Sequence, residues 1–161
     1  MIELSSEEPL VAMERTPVLG VRDLLRLGLV AHQAGDLRGA MVRYRQVLAR
    51  EPNQPDALNL VGVLAHQCGD HPLAIALLER AVELDPRAPD FPINLGLAYR
   101  AHGNVPRARA EFERAVALRP ASAKACLHLG NALRLQGDAL GALRACADSP
   151  AARAVASCFR S

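Results

Sequence analysis

The chain has 161 residues, 50% hydrophobic and 22% charged, enough apolar material for a sizeable core and no compositional case for global disorder. Its 19 basic and 17 acidic side chains leave a net charge of +2, too balanced for a general binder of phosphate backbones, so nucleic acid is not an expected partner. No apolar run approaches the roughly 20 residues of a membrane span, and Met1 to Leu10 lack a basic region followed by an apolar stretch, so no membrane and a cytoplasmic setting are expected.

Aromatic residues make up only 3%, with no Trp, while 29 Ala and 25 Leu supply most of the apolar count. Thin helices packed through small side chains are the expected result. Residues 1–16, with the run SSEEP, show no period and read as a mobile tail. Thr16-Pro17 then pairs a capping residue with one suited to a first helical turn, which predicts a first helix starting near Pro17.

From Val21 onward the sequence repeats. Pro52, Pro86 and Pro120 are 34 residues apart, and the same interval relates Gly28, Gly62, Gly96 and Gly130. It also relates Gly35, Gly69, Gly103 and Gly137, and Ala40, Ala74, Ala108 and Ala142. The predicted units are 21–54, 55–88, 89–122 and 123–148, the last irregular, within a repeat region spanning 17–148. In the third unit Ile93, Leu95, Leu97 and Ala98 belong to a first helix, and Gly103-Asn104 break it where a left-handed residue is needed. Pro106 suits the first turn of a second helix, whose apolar stripe of Ala108, Phe112, Ala115, Val116 and Leu118 ends before Pro120. Each unit is therefore an αα-hairpin, and Gly96 and Ala108 are predicted where its two helices cross.

After Cys146 the period is lost. Ser149-Pro150 followed by Ala151, Ala154, Val155, Cys158 and Phe159 at helical spacing predicts a capping helix or frayed tail over 149–161. The four cysteines at 68, 126, 146 and 158 have no CxxC spacing and read as reduced, mostly buried thiols.

The phrases NLGLAYRAHGN, ARAEFERAVALRP, LVGVLAHQCGD, AIALLERAVELDP and LHLGNALRLQGD resemble the tetratricopeptide repeat family, over about residues 21–148. In wording the chain is similar to the repeat arm of bacterial SPINDLY-like O-linked glycosyltransferases. The resemblance implies an all-α, right-handed α-solenoid of antiparallel helix hairpins. The aromatic usual late in the family's first helix is replaced by Ala31 and Ala65, so the first two units should pack less tightly than the third. Eighteen Arg against one Lys suggest a GC-rich bacterial genome.

No GxxxxGK[ST], HExxH, GxSxG or GxGxxG motif occurs, so no catalytic residue and no cofactor are expected. His66, Cys68 and His71 bring three soft-metal donors within six residues, but the repeat already explains the intervening turn and no fourth donor is near, so no metal is expected.

A binding wall remains. The resemblance places the second, fifth, sixth, ninth and twelfth to thirteenth positions of each unit on a concave face. There the candidate partner-binding residues are Arg22, Arg26, Asn59, His66, Asn94, Arg100, Lys124, His128 and Asn131. Polar groups alternating with Leu and Val suit an extended peptide. Chaperone-type carboxylate clamps of the family are half matched, with Asn94 and Lys124 in place and His128 where an Arg stands. The asparagine ladder of O-linked glycosyltransferase arms has one rung, Asn94, with Leu60 and His128 in the neighbouring units. The expected function is a non-catalytic scaffold binding a protein or peptide partner in the groove. The alternative is a substrate-recruiting arm, or truncated relic, of a SPINDLY-like glycosyltransferase.

Overall fold

A computed structural model describes residues 19–138, 140–142 and 144. It is all-helical over those residues. The helices are α1 (Val21–Gln33), α2 (Leu37–Arg50), α3 (Pro55–Gln67), α4 (His71–Leu84), α5 (Asp90–Ala101), α6 (Val105–Leu118) and α7 (Ala123–Leu135), with further helical residues at 140–142 and 144. None of them is long and apolar enough to cross a membrane. The predicted tail, Thr16-Pro17, the capping segment, Cys146 and Cys158 lie outside the described residues. The first helix starts at Val21, not near Pro17: Leu19 is non-helical and Gly20 is an extended N-cap at φ −67°, ψ 165°.

Each hairpin turns on the same two residues. Gly35, Gly69, Gly103 and Gly137 take φ between +81° and +86°, where a side chain would be strained. The residue after each glycine returns its N–H to the carbonyl five positions back, as Asp36 does to Ala31 at 2.9 Å and Asn104 to Tyr99 at 2.8 Å, which satisfies the helix end. That same residue then caps the next helix. Asp36 Oδ1 accepts from the Gly39 N–H at 2.8 Å, Asp70 Oδ1 from Leu73 at 3.1 Å and Asn104 Oδ1 from Arg107 at 3.2 Å. A Gly-Asp or Gly-Asn pair thus ends one helix and begins its antiparallel partner.

Within the hairpins α1 packs on α2, α3 on α4 and α5 on α6, and α2–α3, α4–α5 and α6–α7 join one hairpin to the next. A Cβ on Gly62 would lie 3.4 Å from the Ala74 carbonyl oxygen, which puts the Gly96 and Ala108 columns at the crossing as expected, but the nearer neighbour is a large side chain. A Cβ on Gly96 would lie 2.5 Å from the ring of Phe112, one on Gly28 would lie 2.4 Å from Tyr44, and one on Gly62 would lie 2.7 Å from Leu78. The small residue of each first helix therefore faces the large residue of the second, and Ala108, fully buried, fills space beside it.

The packing gradient also differs from expectation. Despite Ala65, α3 buries Leu58, Val61, Leu64 and Ala65 as thoroughly as α5 buries Phe91, Ile93, Leu95 and Tyr99. The largest core cluster takes Leu58, Leu78, Phe91, Leu95, Phe112 and Leu129 from α3 through α7. Looser packing is confined to α1, whose buried residues are Leu24 and Gly28, because α3 and α5 are flanked by hairpins on both sides. Of the described cysteines, Cys126 is buried as expected but Cys68 is exposed, because it is the C-cap of α3 and sits in the turn.

Candidate functional site

The first helices lie on the inside of the stack. α3 touches α5 and α5 touches α7, whereas second helices of successive hairpins meet weakly or not at all, which is how a curved stack separates its inner and outer layers. The inner wall is therefore built from α1, α3, α5 and α7.

A groove of about 440 Å³ crosses this wall, with a mainly apolar floor of Leu25 and Leu29 from α1, Leu60 from α3 and Phe91 from α5. Arg26, Asp56, Asn59 and Asp90 supply its polar rim. A second groove of about 770 Å³ shares Leu25 and runs along the start of α1, where Arg22 and Asp23 face Glu51 and Gln54. Of the sequence candidates, Arg22, Arg26 and Asn59 line these grooves.

Asn59 is only 8% exposed, and its Oδ1 accepts a hydrogen bond from Asn94 Nδ2 at 2.9 Å. Asn59 Nδ2 makes no hydrogen bond among the described residues, and neither does Asn94 Oδ1. The pair thus holds one free donor and one free acceptor side by side. The sequence columns missed this pairing because they set Asn94 against Leu60. Asn59 and Asn94 are 35 residues apart, as are His32 and Gln67, which hydrogen-bond at 3.0 Å. On this wall neighbouring helices meet one residue out of the repeat register, and a search at 35-residue spacing would have found both pairs. Of the apolar floor, Leu60 already stood at a wall position in the sequence columns, whereas Leu25 and Phe91 were missed.

Further along the wall the candidates are basic. His66, in the last turn of α3, has its Nδ1 at 3.3 Å from that of His71. Its pKa is held below the usual histidine range by burial first, then by His71 and Arg100. The His128 ring, on α7, stacks on Phe112 with centroids 5.4 Å apart, and its Nδ1 is buried without a partner. Burial, then Arg100 and Lys124, lower its pKa as well. Both rings are therefore neutral near pH 7, and His128 stands partly in the α6–α7 interface rather than wholly on the wall. Arg100 is half-buried in the last turn of α5, Lys124 is exposed, and Asn131 is half-buried on α7. The described residues hold no group of three His, Cys, Asp or Glu side chains arranged for a metal ion.

The arrangement offers hydrogen bonds, apolar contact and positive charge along one face. No curated protein sequence matches the chain significantly. Among solved structures, MamA aligns with a TM-score of 0.76 at 21% identity, covering 86% of this chain and 81% of that one. A thermophilic tetratricopeptide protein of Thermus thermophilus aligns with a TM-score of 0.70 at 21% identity, over 80% of this chain and 72% of that one. The O-GlcNAc transferase of Thermobaculum terrenum aligns with a TM-score of 0.69 at 35% identity, over 70% of this chain but only 22% of the transferase. The tetratricopeptide repeat profile matches residues 24–89 and 93–156, and a second profile of the same description matches 65–117. With that match spanning most of its length, and glycine-turned hairpins stacked along a common inner wall, the chain belongs to the tetratricopeptide repeat family.

Proposed function

We propose that this chain is a non-catalytic protein-interaction module that holds an extended segment of a partner protein along the inner wall. The observation that carries the reading is the Asn59–Asn94 pair beside the apolar groove. An extended backbone presents an N–H and a C=O in alternation. Asn94 Oδ1 can accept from the first and Asn59 Nδ2 can donate to the second, while Leu25, Leu60 and Phe91 take side chains. A cytoplasmic setting, with reduced thiols, fits the same reading.

Capture of the partner from the native host tests it. Asn94→Ala together with Lys124→Ala removes one backbone contact and one charge from exposed or half-buried positions. Losses of about 1 kcal/mol each reduce recovery about tenfold or more, with helicity nearly unchanged and a modest fall in thermal stability because Asn59 Oδ1 loses its partner. Undiminished recovery by the folded double variant refutes a partner held on this wall.

A second reading has its own support in the 35% identity to the Thermobaculum terrenum O-GlcNAc transferase. The chain then serves as a substrate-recruiting repeat arm of a SPINDLY-like glycosyltransferase, or as its relic. Coding DNA following Ser161 that specifies further repeats and a nucleotide-sugar domain supports this reading, and unrelated intergenic sequence removes it.

A further inference from the structure

From the second hairpin onward, one face of each first helix is closed by the hairpin before it: α2 packs on α3, α4 on α5 and α6 on α7. On that face Leu64, Ala98 and Ala132, which share a column, are at most 1% exposed, and Val61, Leu95 and Leu129 at most 8%. Among the described residues α1 has no such neighbour. Its Val30, in the first of these columns, is 56% exposed. Leu27, in the second, and Ala31 beside it are only half-buried, and Asp23 stands at the edge. An apolar helix face at the end of a solenoid needs a cover against water.

The residues before α1 repeat the end of a second helix. LVAMERTP (10–17) aligns with RQVLAREP (45–52), ERAVELDP (79–86) and ERAVALRP (113–120), with Pro17 in the place of Pro52, Pro86 and Pro120. Pro17 and Pro52 are 35 residues apart, one more than the interval of the columns, so a search at 34 passes over the match. The extra residue falls in the connection to α1: Thr16–Gly20 is five residues, the length of Asp85–Pro89 between α4 and α5. In this alignment Ala12-Met13 replace Val47-Leu48, Ala81-Val82 and Ala115-Val116. Those are the residues that second helices set against the next first helix. Val47 shares a core cluster with Ala57, Ala81 and Val82 with Phe91 and Leu95, and Ala115 with Ala125. Leu48, the counterpart of Met13, packs against the cluster that holds Val61 and Leu64, the counterparts of Leu27 and Val30.

We infer that the chain's own residues 9–15 dock on the outer face of α1 as a short second helix without a first, seating Met13 on Leu27 and Val30, where the sequence alone reads as a tail. Pro9 suits the first turn of such a helix. Arg50 Nη1 donates to the Leu19 carbonyl and fixes the point at which the segment leaves α1. The docked segment also steadies the partner groove, because α1 supplies Leu25 and Leu29 to the groove floor and by itself buries only Leu24 and Gly28.

NMR of the full chain reads the docking directly. Residues 10–15 are expected to show helical Cα shifts, and the Met13 methyl to give NOEs to Leu27 and Val30. Val30→Gln and Val42→Gln form a matched pair of substitutions, since Val42 of α2 is 55% exposed and its column, Ala76 and Ala110, is exposed throughout. With the segment in place, Val30→Gln lowers the melting temperature by about 2–6 °C, whereas Val42→Gln changes it by about 1 °C or less. Met13→Ser reproduces the loss, adds little on top of Val30→Gln, and speeds hydrogen exchange of the α1 amides about tenfold. Random-coil shifts over residues 10–15, equal small effects of the two valine changes, or fully additive losses from Met13→Ser and Val30→Gln overturn the docking. Sedimentation distinguishes a second copy of the chain on this face: a dimer that Val30→Gln dissociates, with residues 10–15 at random-coil shifts, overturns it as well.

Discussion

Replacing Gly96 by alanine should destabilise this protein, against the rule for helices. In a helix interior alanine is favoured over glycine by about 1 kcal/mol. Here the new Cβ would stand 2.5, 2.8 and 2.9 Å from Cε1, Cδ1 and Cζ of Phe112, closer than such carbons approach. The ring is fully buried. Overpacking of this kind costs roughly 1–3 kcal/mol, and in the upper part of that range, which a fully buried ring favours, the net loss is about 1–2 kcal/mol after the helix gain. For a chain of this size that corresponds to a melting temperature lower by about 2–8 °C, measured by circular dichroism. The decisive comparison is with Phe112→Val, which deletes all three clashing atoms. In that background Gly96→Ala should raise the melting temperature, so the effect of one substitution changes sign. A Gly96→Ala protein as stable as the parent, or the same loss in both backgrounds, refutes the claim that this crossing is set by glycine against ring. Gly96→Leu, with more atoms in the same place, should cost about 3 kcal/mol or more.

Other consequences follow from single features. The Tyr44 hydroxyl is buried without a hydrogen-bond partner, so Tyr44→Phe should leave stability equal or higher by up to about 1 kcal/mol, and a clear drop in melting temperature would reveal a partner for that hydroxyl. Gly103 sits at φ +86° with nothing within 4 Å of a built Cβ, so Gly103→Ala should lose about 1–2 kcal/mol through backbone strain alone, and Gly103→Asn less, both read from urea unfolding. His66 and His128 have pKa values depressed in the folded chain. As pH falls through about 6.5 the unfolded chain takes up these protons first, so the stability contributed by the neutral rings is present above that pH and declines below it. Thermal unfolding at about pH 5.5 should occur at lower temperature than at about pH 7.5, and the gap should narrow in His66→Gln and His128→Gln; unfolding at a higher temperature on acidification would contradict the depressed values.

The repeat was legible because its signals are local. A glycine that must take positive φ, followed by Asp or Asn that caps the next helix, needs only a few adjacent residues to act, so Gly35-Asp36, Gly69-Asp70 and Gly103-Asn104 announce hairpins before any tertiary contact is known. Burial of Tyr44, Phe91, Tyr99 and Phe112 was equally readable from their columns. The family's aromatic position misled for α3, because the loss of one ring at Ala65 is offset by close packing of Leu58, Val61 and Leu64 between α4 and α5.

Sequence alone thus determined the helices and their turns, since each follows from periods and caps within one hairpin, while the inner wall was implied by the family resemblance. Only the tertiary structure decided which wall residues meet, because contact between first helices depends on how far one hairpin slides and rotates against the next. That displacement pairs Asn59 with Asn94 and His32 with Gln67, one residue off the 34-residue columns.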